Sequence, residues 1–304
     1  MSDIITRPTY AGQDEQEKPD LGQELRNVVS LPPPNSPFRD NVVIVTGASS
    51  GIGRALALYF AHRGARVVLA ARNADKLTKV SRQITRKGGE CLVVPTDVGK
   101  ERDCYYLIDK TLAAYGRIDI LLNNAGISMR ALFKEVKLDV IREVMNTNFW
   151  GAVYCTKYAL PHLLENKGSL VAISSISAIV PLPGRTGYTA SKHALDGFMN
   201  NIRIEYLASD LHVLNVHAGF TQSNIRKRAL NKDGQAQQES PRNEARMMTA
   251  EKVAELVGKA IIARKREITL TGEGKLIAWL YKVAPRLGDR LIYREIARET
   301  NSPL

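Results

Sequence analysis

The stretch that most constrains this chain is Val42-Val43-Ile44-Val45-Thr46-Gly47-Ala48-Ser49-Ser50-Gly51-Ile52-Gly53, a β-branched run that enters a glycine turn and opens a helix. A short apolar run of this kind predicts a buried parallel strand, and Ile52, Ala55, Leu56, Tyr59 and Phe60 then recur at helical spacing. Gly47, Gly51 and Gly53 remove side chains where the backbone must turn tightly, approach a ligand and pack helix against strand. The helix N-terminus beyond them offers free N–H groups and a partial positive charge, which together make a seat for a pyrophosphate. Glycines of this spacing also serve as a plain tight turn, so the context has to decide. A P-loop would end Gly-Lys-Ser/Thr, whereas this stretch ends Gly53-Arg54-Ala55.

Strand and helix signals alternate for the next two hundred residues. A second buried strand, Ala65 to Ala71, leads into Arg72-Asn73, followed by a helix over about 74–87, a strand from Cys91 to Pro95, a helix over about 100–115 and a strand from Ile118 to Leu122. A long helical region over about 138–164, a strand from Ser169 to Ser174, a helix holding Tyr188 and Lys192, and a strand over about 211–217 complete the run. This alternation predicts an α/β fold: a doubly wound parallel sheet covered by helices on both faces, with right-handed crossovers. Residues 224–248 are polar and charged and read as a mobile insertion beside the site. An amphipathic helix marked by Val253, Leu256, Val257, Ala260 and Ile261 and a last strand from Glu267 to Leu270 close this body, residues 39–272.

Two flanking segments differ in character. Residues 1–38, with Pro32-Pro33-Pro34 and an acidic cluster, read as an extended or disordered lead-in, with room for a short helix at 21–29. Residues 273–304 read as a helical extension in which Leu276, Ile277, Trp279, Leu280 and Val283 alternate with basic residues. Docking on the body or on another subunit is the first expectation for it, with membrane-surface contact as the alternative.

The net charge of +12 is spread along the 304 residues instead of clustering, which describes a solvated basic surface more than a nucleic-acid site. Cys91, Cys104 and Cys155 are too scattered for a disulfide framework or a zinc site, and the five histidines lack ligand spacing, so no metal is expected. With no apolar run of membrane-spanning length and a polar N-terminus, a cytoplasmic location is the expectation.

The acidic position that binds a free ribose 2′-hydroxyl after the second strand is missing: Ala71 is followed by Arg72. Tyr188 and Lys192, four apart, share a helix face. A tyrosine doing acid/base work near neutrality needs its pKa lowered by about three units, or ~4 kcal/mol. An ammonium at ~4 Å with an effective dielectric near 20 supplies roughly that amount, opposed by burial. Ser175 falls at the end of the fifth strand and Asn148 in the preceding helix; the carboxyl ends of the strands are where an open parallel sheet binds ligands.

Taken together these positions resemble the short-chain dehydrogenase/reductase family, over roughly residues 40–272. Thr46 to Gly53 resembles its cofactor motif, including Ser49, Ser50 and Ile52. Asp97-Val98 matches its adenine-binding aspartate, and Asn123, Asn124, Ala125 and Gly126 match its stretch beside the adenosine. Asn148, Ser175, Tyr188 and Lys192 fall where that family carries its catalytic tetrad. The resemblance implies hydride transfer between NADP(H), favoured over NAD(H) by Arg72, and a carbonyl or secondary alcohol. Ser175 would bind the substrate oxygen and Tyr188 would protonate it. Lys192 would lower the phenol's pKa and hold the nicotinamide ribose, and Asn148 would hold a relay water. It also implies a homodimer or homotetramer. The family's Pro-Gly after the sixth strand is Ala218-Gly219 here, with Gly219 beside the nicotinamide and Ser223 in place of a threonine. Ile127, Met129, Ile179, Val180, Leu182 and Phe220 predict an apolar substrate pocket. The alternative function is a cofactor-binding regulatory or scaffold protein that keeps this fold without turnover.

Overall fold

The computed structural model describes residues 35–240, 247–299 and 301–304. The helix expected at 21–29 lies outside these residues. Seven strands form one parallel sheet: β1 (Val42–Thr46), β2 (Arg66–Ala71), β3 (Glu90–Pro95), β4 (Ile120–Asn123), β5 (Ser169–Ser175), β6 (His212–Ala218) and β7 (Glu267–Thr269). Their spatial order is β3-β2-β1-β4-β5-β6-β7. The chain therefore winds outward in one direction from β1 and in the other from β4, and the order reverses between these two strands. That reversal is where a doubly wound sheet opens a crevice at its carboxyl edge.

The helices are α1 (Gly51–Ala61), α2 (Ala74–Thr85), α3 (Glu101–Tyr115), α4 (Leu138–Met145), α5 (Gly151–Glu165), α6 (Thr186–Glu205), α7 (Ala250–Ile262), α8 (Gly272–Val283) and α9 (Pro285–Ala297). Side chains alternate across a strand, so the unbroken apolar run of β1 must be covered on both faces. Val43 and Val45 pack with Leu56 and Phe60 of α1, Leu77 of α2 and Val253 and Val257 of α7. Val42 and Ile44 pack on the other face with Leu107 of α3, Leu163 of α5 and Leu195 of α6. Each such fully buried Leu, Ile or Val stabilises the fold by about 1.5–3 kcal/mol. Helix α2 shows the local logic well: Asn73 caps it by accepting from the Lys76 N–H at 2.8 Å, and Leu77, Val80 and Ile84 form its buried stripe.

Three sequence expectations change. The body begins before residue 39, because Phe38 is buried and its ring meets Phe60 edge-on at 4.9 Å. The described part of the 224–248 segment is anchored: Arg226, Ala229 and Leu230 are buried, Leu230 N–H donates to the Ser128 carbonyl at 2.9 Å, and Arg130 N–H donates to the Leu230 carbonyl at 2.8 Å. Backbone pairing and one buried guanidinium hold it, features that polar composition conceals. Finally, α4 and α5 are not one helix but flank a single π-helical turn, Asn146–Trp150.

The C-terminal extension, helices α8 and α9, docks on the body. Ala278, Ile292 and Ile296 cluster with Ile176 and Val180, which follow β5. Among the described residues no helix is long and apolar enough to cross a membrane.

Candidate active site

The glycine turn is tight for two separate reasons. Gly47 and Gly51 adopt φ of +68° and +53°, a region costly for any residue with a Cβ. Gly53 has an ordinary φ, but a Cβ there would run into the Gly47 carbonyl oxygen, so it sets how closely α1 approaches the turn. Ser50 is the N-cap of α1 and makes no side-chain cap hydrogen bond, which leaves the first-turn N–H groups directed at the opening. Thr46 ties this turn to β4: its hydroxyl donates to the Leu122 carbonyl (3.1 Å) and accepts from the N–H groups of Asn124 (2.9 Å) and Ala125 (3.0 Å).

A cavity of about 500 Å³ runs from this turn along the carboxyl ends of the strands. Arg72, Asn73, Lys76, Thr96, Asp97 and Val98 line one end, and Gly47, Ser49, Ser50, Gly51, Ile52, Gly53, Ala125 and Gly126 line the middle. Ser175, Tyr188, Lys192, Gly219 and Ser223 belong to the lining as well. Asn123 does not. Its side chain turns into the core, where Nδ2 donates to Thr156 Oγ1 at 3.0 Å, and the neighbouring Asn124 lines the cavity instead. A run of two asparagines at a strand end cannot reveal which one faces inward until the pleat is fixed. The glycine cradle, the undonated N–H groups of α1 and the cationic pair Arg72 and Lys76 fit a nicotinamide dinucleotide.

Asn148 also lies off the wall, one layer behind it. It sits in the π turn and is 1% exposed; its Nδ2 donates to the Ile127 carbonyl (2.9 Å) and to Ser191 Oγ (2.9 Å), while Oδ1 accepts from Ile127 N–H (2.8 Å). It thereby fixes the loop after β4 to α6. A π turn is a frequent device for aiming a side chain at a functional site.

Ser175 ends β5, where its Oγ accepts from Ser177 N–H at 3.1 Å. Tyr188 and Lys192 lie one turn apart on α6. Lys192 is 4% exposed and its Nζ donates to the Ile173 carbonyl at 3.0 Å; burial lowers its pKa to about 8, against the pull of Asp196 one turn further on. Burial raises the Tyr188 pKa, opposed by a hydrogen bond with Ser175 and by the charges of Arg185 and Arg226. Beside Lys192, two arginines also act on the phenol. The Lys192 Nζ lies 5.8 Å from the Tyr188 ring centre, and the charges of Arg185 and Arg226 also oppose the effect of burial. Arg185 is three residues before Tyr188, a helical spacing that the sequence displays; Arg226 comes from a distant segment and had no such signal.

The glycine at 219 has a second reason. A Cβ there would overlap Thr271 Oγ1, the N-cap of α8. The substrate end is also less apolar than its composition suggested. Ile127, Leu182 and Phe220 line it, but Met129 and Val180 are buried in neighbouring clusters and Ile179 packs toward the C-terminal helices. Arg185, Arg226 and Arg228 are on the wall instead. Among the described residues no cluster of His, Cys, Asp or Glu could hold a metal ion.

Comparison with known proteins agrees with this geometry. The family model for short chain dehydrogenases matches residues 41–234. "Dehydrogenase/reductase SDR family member 7B" of Rattus norvegicus is 34% identical over 273 residues, covering 87% of this chain and 84% of that protein. "11-beta-hydroxysteroid dehydrogenase A" of Arachis hypogaea is 43% identical over 188 residues, 61% of this chain, and the chain spans only 54% of that protein's length. A short chain dehydrogenase/reductase of Burkholderia phymatum, solved in complex with NAD, superposes with a TM-score of 0.74 at 24% identity over 82% of this chain and 95% of its own. By its match over more than half its length, its relative similar nearly end to end and its sheet order, the chain belongs to the short chain dehydrogenase family.

Proposed function

We propose that the protein interconverts a carbonyl compound and a secondary alcohol with NADP(H) as cofactor, and that Tyr188 is its acid/base. The observation that carries this reading is the single cavity that joins the glycine turn to Ser175, Tyr188 and Lys192. When bound, the nicotinamide supplies or accepts the hydride. The chain's own part is to orient and to move a proton. Ser175 Oγ binds the substrate oxygen, and the Tyr188 hydroxyl delivers its proton to that oxygen in reduction and removes it in oxidation. Lys192, held on the Ile173 carbonyl at the cavity wall, binds the nicotinamide ribose. Asn148 acts through Ile127 and Ser191, keeping the loop after β4 in register with α6.

The preference for NADP(H) rests on Arg72 and Lys76, which line the cavity at the end of β2 with no acidic residue between Ala71 and Asn73. Replacing Arg72 with Ala should raise KM for NADPH by roughly 10- to 100-fold, the worth of a charge-assisted hydrogen bond of about 1.5–3 kcal/mol, and leave KM for NADH nearly unchanged. Equal effects on both cofactors would remove this part of the proposal. Self-association into a homodimer or homotetramer is supported by the exposed Tyr105, Tyr106 and Trp150 and is tested by sedimentation at assay concentration.

The deciding experiment is NADPH consumption against a panel of aldehydes and ketones, with Tyr188→Phe in parallel. Loss of kcat by roughly 10²- to 10⁴-fold with cofactor affinity retained is the expected result. A wild-type protein that binds NADPH and turns over no member of the panel would point to the silent, cofactor-binding alternative.

A further inference from the structure

The cavity wall changes character beyond Tyr188. Of the lining side chains between Ile173 and Ala236, four are cationic, Arg185, Lys192, Arg226 and Arg228, and none is acidic. The acidic members of the lining, Asp97 and Glu143, come from the segment after β3 and from α4. Two of the arginines are buried and held in place. Arg226 Nη2 donates to the Thr221 carbonyl at 2.7 Å, and Arg185 meets the Glu299 carboxylate at 3.5 Å.

Arg228 is built differently. Its backbone is fixed, with its N–H on the Asn224 carbonyl at 3.0 Å and Leu230, two residues on, paired with Ser128 and Arg130. Its side chain lines the cavity yet is exposed. A guanidinium on a fixed backbone at the rim of a cationic wall matches a carboxylate or phosphate in shape and charge. The low-dielectric walls focus the potential of the Arg228 guanidinium into the cavity, whereas the charge of Arg185 is offset by Glu299. A neutral ketone gains nothing from this arrangement. The cofactor's own anionic groups have other partners available, the N-terminus of α1 and the Arg72 and Lys76 pair.

Resting on the oxidoreductase reading above, we propose that the carbonyl or alcohol substrate carries an anionic group, a carboxylate or phosphate, seated on Arg228, while Ile127, Leu182 and Phe220 take its apolar part.

The test uses the full chain with NADPH and matched substrate pairs of one skeleton: a keto or aldehydo carboxylate against its methyl ester, and a phosphate monoester against the free alcohol. The two arms separate carboxylate from phosphate recognition. The anionic member should show kcat/KM at least roughly tenfold higher, with the advantage shrinking as ionic strength rises from about 0.01 M to about 0.15 M. Arg228→Ala should erase the ratio, Arg228→Glu should invert it and Arg228→Lys should restore part of it. Because this side chain is exposed, the variants are expected to fold, which NADPH binding checks. Neutral members turned over as well as or better than anionic ones would overturn the proposal while leaving the oxidoreductase reading intact. An effect of Arg228 variants confined to KM for NADPH would overturn it too, by assigning the residue to the cofactor. Failure of every pair in the wild-type protein would overturn both.

Discussion

Lys192 sits in the protein at a cost to stability. Its amine has a pKa near 8 when folded and 10.5 when free, so the unfolded chain binds more protons between those values. A group with a depressed basic pKa destabilises the fold most below about pH 8, and that penalty fades as pH rises toward 10.5. Lys192→Met should therefore raise stability at pH 7 by on the order of 1–3 kcal/mol, partly offset by the lost bond to Ile173, and thermal unfolding should shift upward by a few degrees while turnover disappears. In the wild type, carbonyl reduction should decline as pH rises through about 8, where the ammonium is lost, a limb that a pH profile of kcat/KM would reveal. The positions of Tyr188 and Lys192 were legible from their spacing and their distance from Ser175. The part of Arg226 was not, because it comes near Tyr188 only once the segment after β6 has folded back over the cavity.

At the level of the elements, the turn between β1 and α1 was the most legible part of the chain, since its three glycines and apolar flanks leave few alternatives. The structure adds which glycine does what. Gly53→Ala places a methyl group against backbone, which cannot yield as a flexible side chain can. It should destabilise the protein by about 1–3 kcal/mol and weaken NADPH binding together, measured by chemical denaturation and cofactor titration. Gly219→Ala instead meets the Thr271 side chain, so its first effect should be on the cap of α8. The π turn between α4 and α5 left no mark in the sequence. Its apolar periodicity is that of an ordinary helix, and one extra residue per turn shifts the pattern by less than composition can resolve.

For the whole molecule, a parallel sheet covered on both faces follows from alternating strand and helix signals, whereas the placing of the C-terminal extension does not. Its mixed basic and apolar composition fits several surroundings, and beside the apolar cluster with Ile176 and Val180 a buried carboxylate fixes it. Glu299 lies 3.4 Å from Arg130 and 3.5 Å from Arg185, all three side chains under 10% exposed. Removing the carboxylate with Glu299→Ala leaves two buried cations short of it, and the expected loss is on the order of 3 kcal/mol, read from denaturation midpoints. The variant should also lose activity more steeply than its stability alone explains, since Arg185 borders the cavity.

That ion triad has a thermodynamic corollary. Because Arg185 belongs both to the cavity wall and to the ion triad that holds the tail, a ligand that alters its pairing with Glu299 would alter the hold on the tail, and by linkage the reverse would follow to the same degree. A ligand that prefers the latched form must slow protease cleavage of α8 and α9, and a tail held shut must tighten the ligand. Limited trypsin digestion with and without cofactor and product would read that exchange directly.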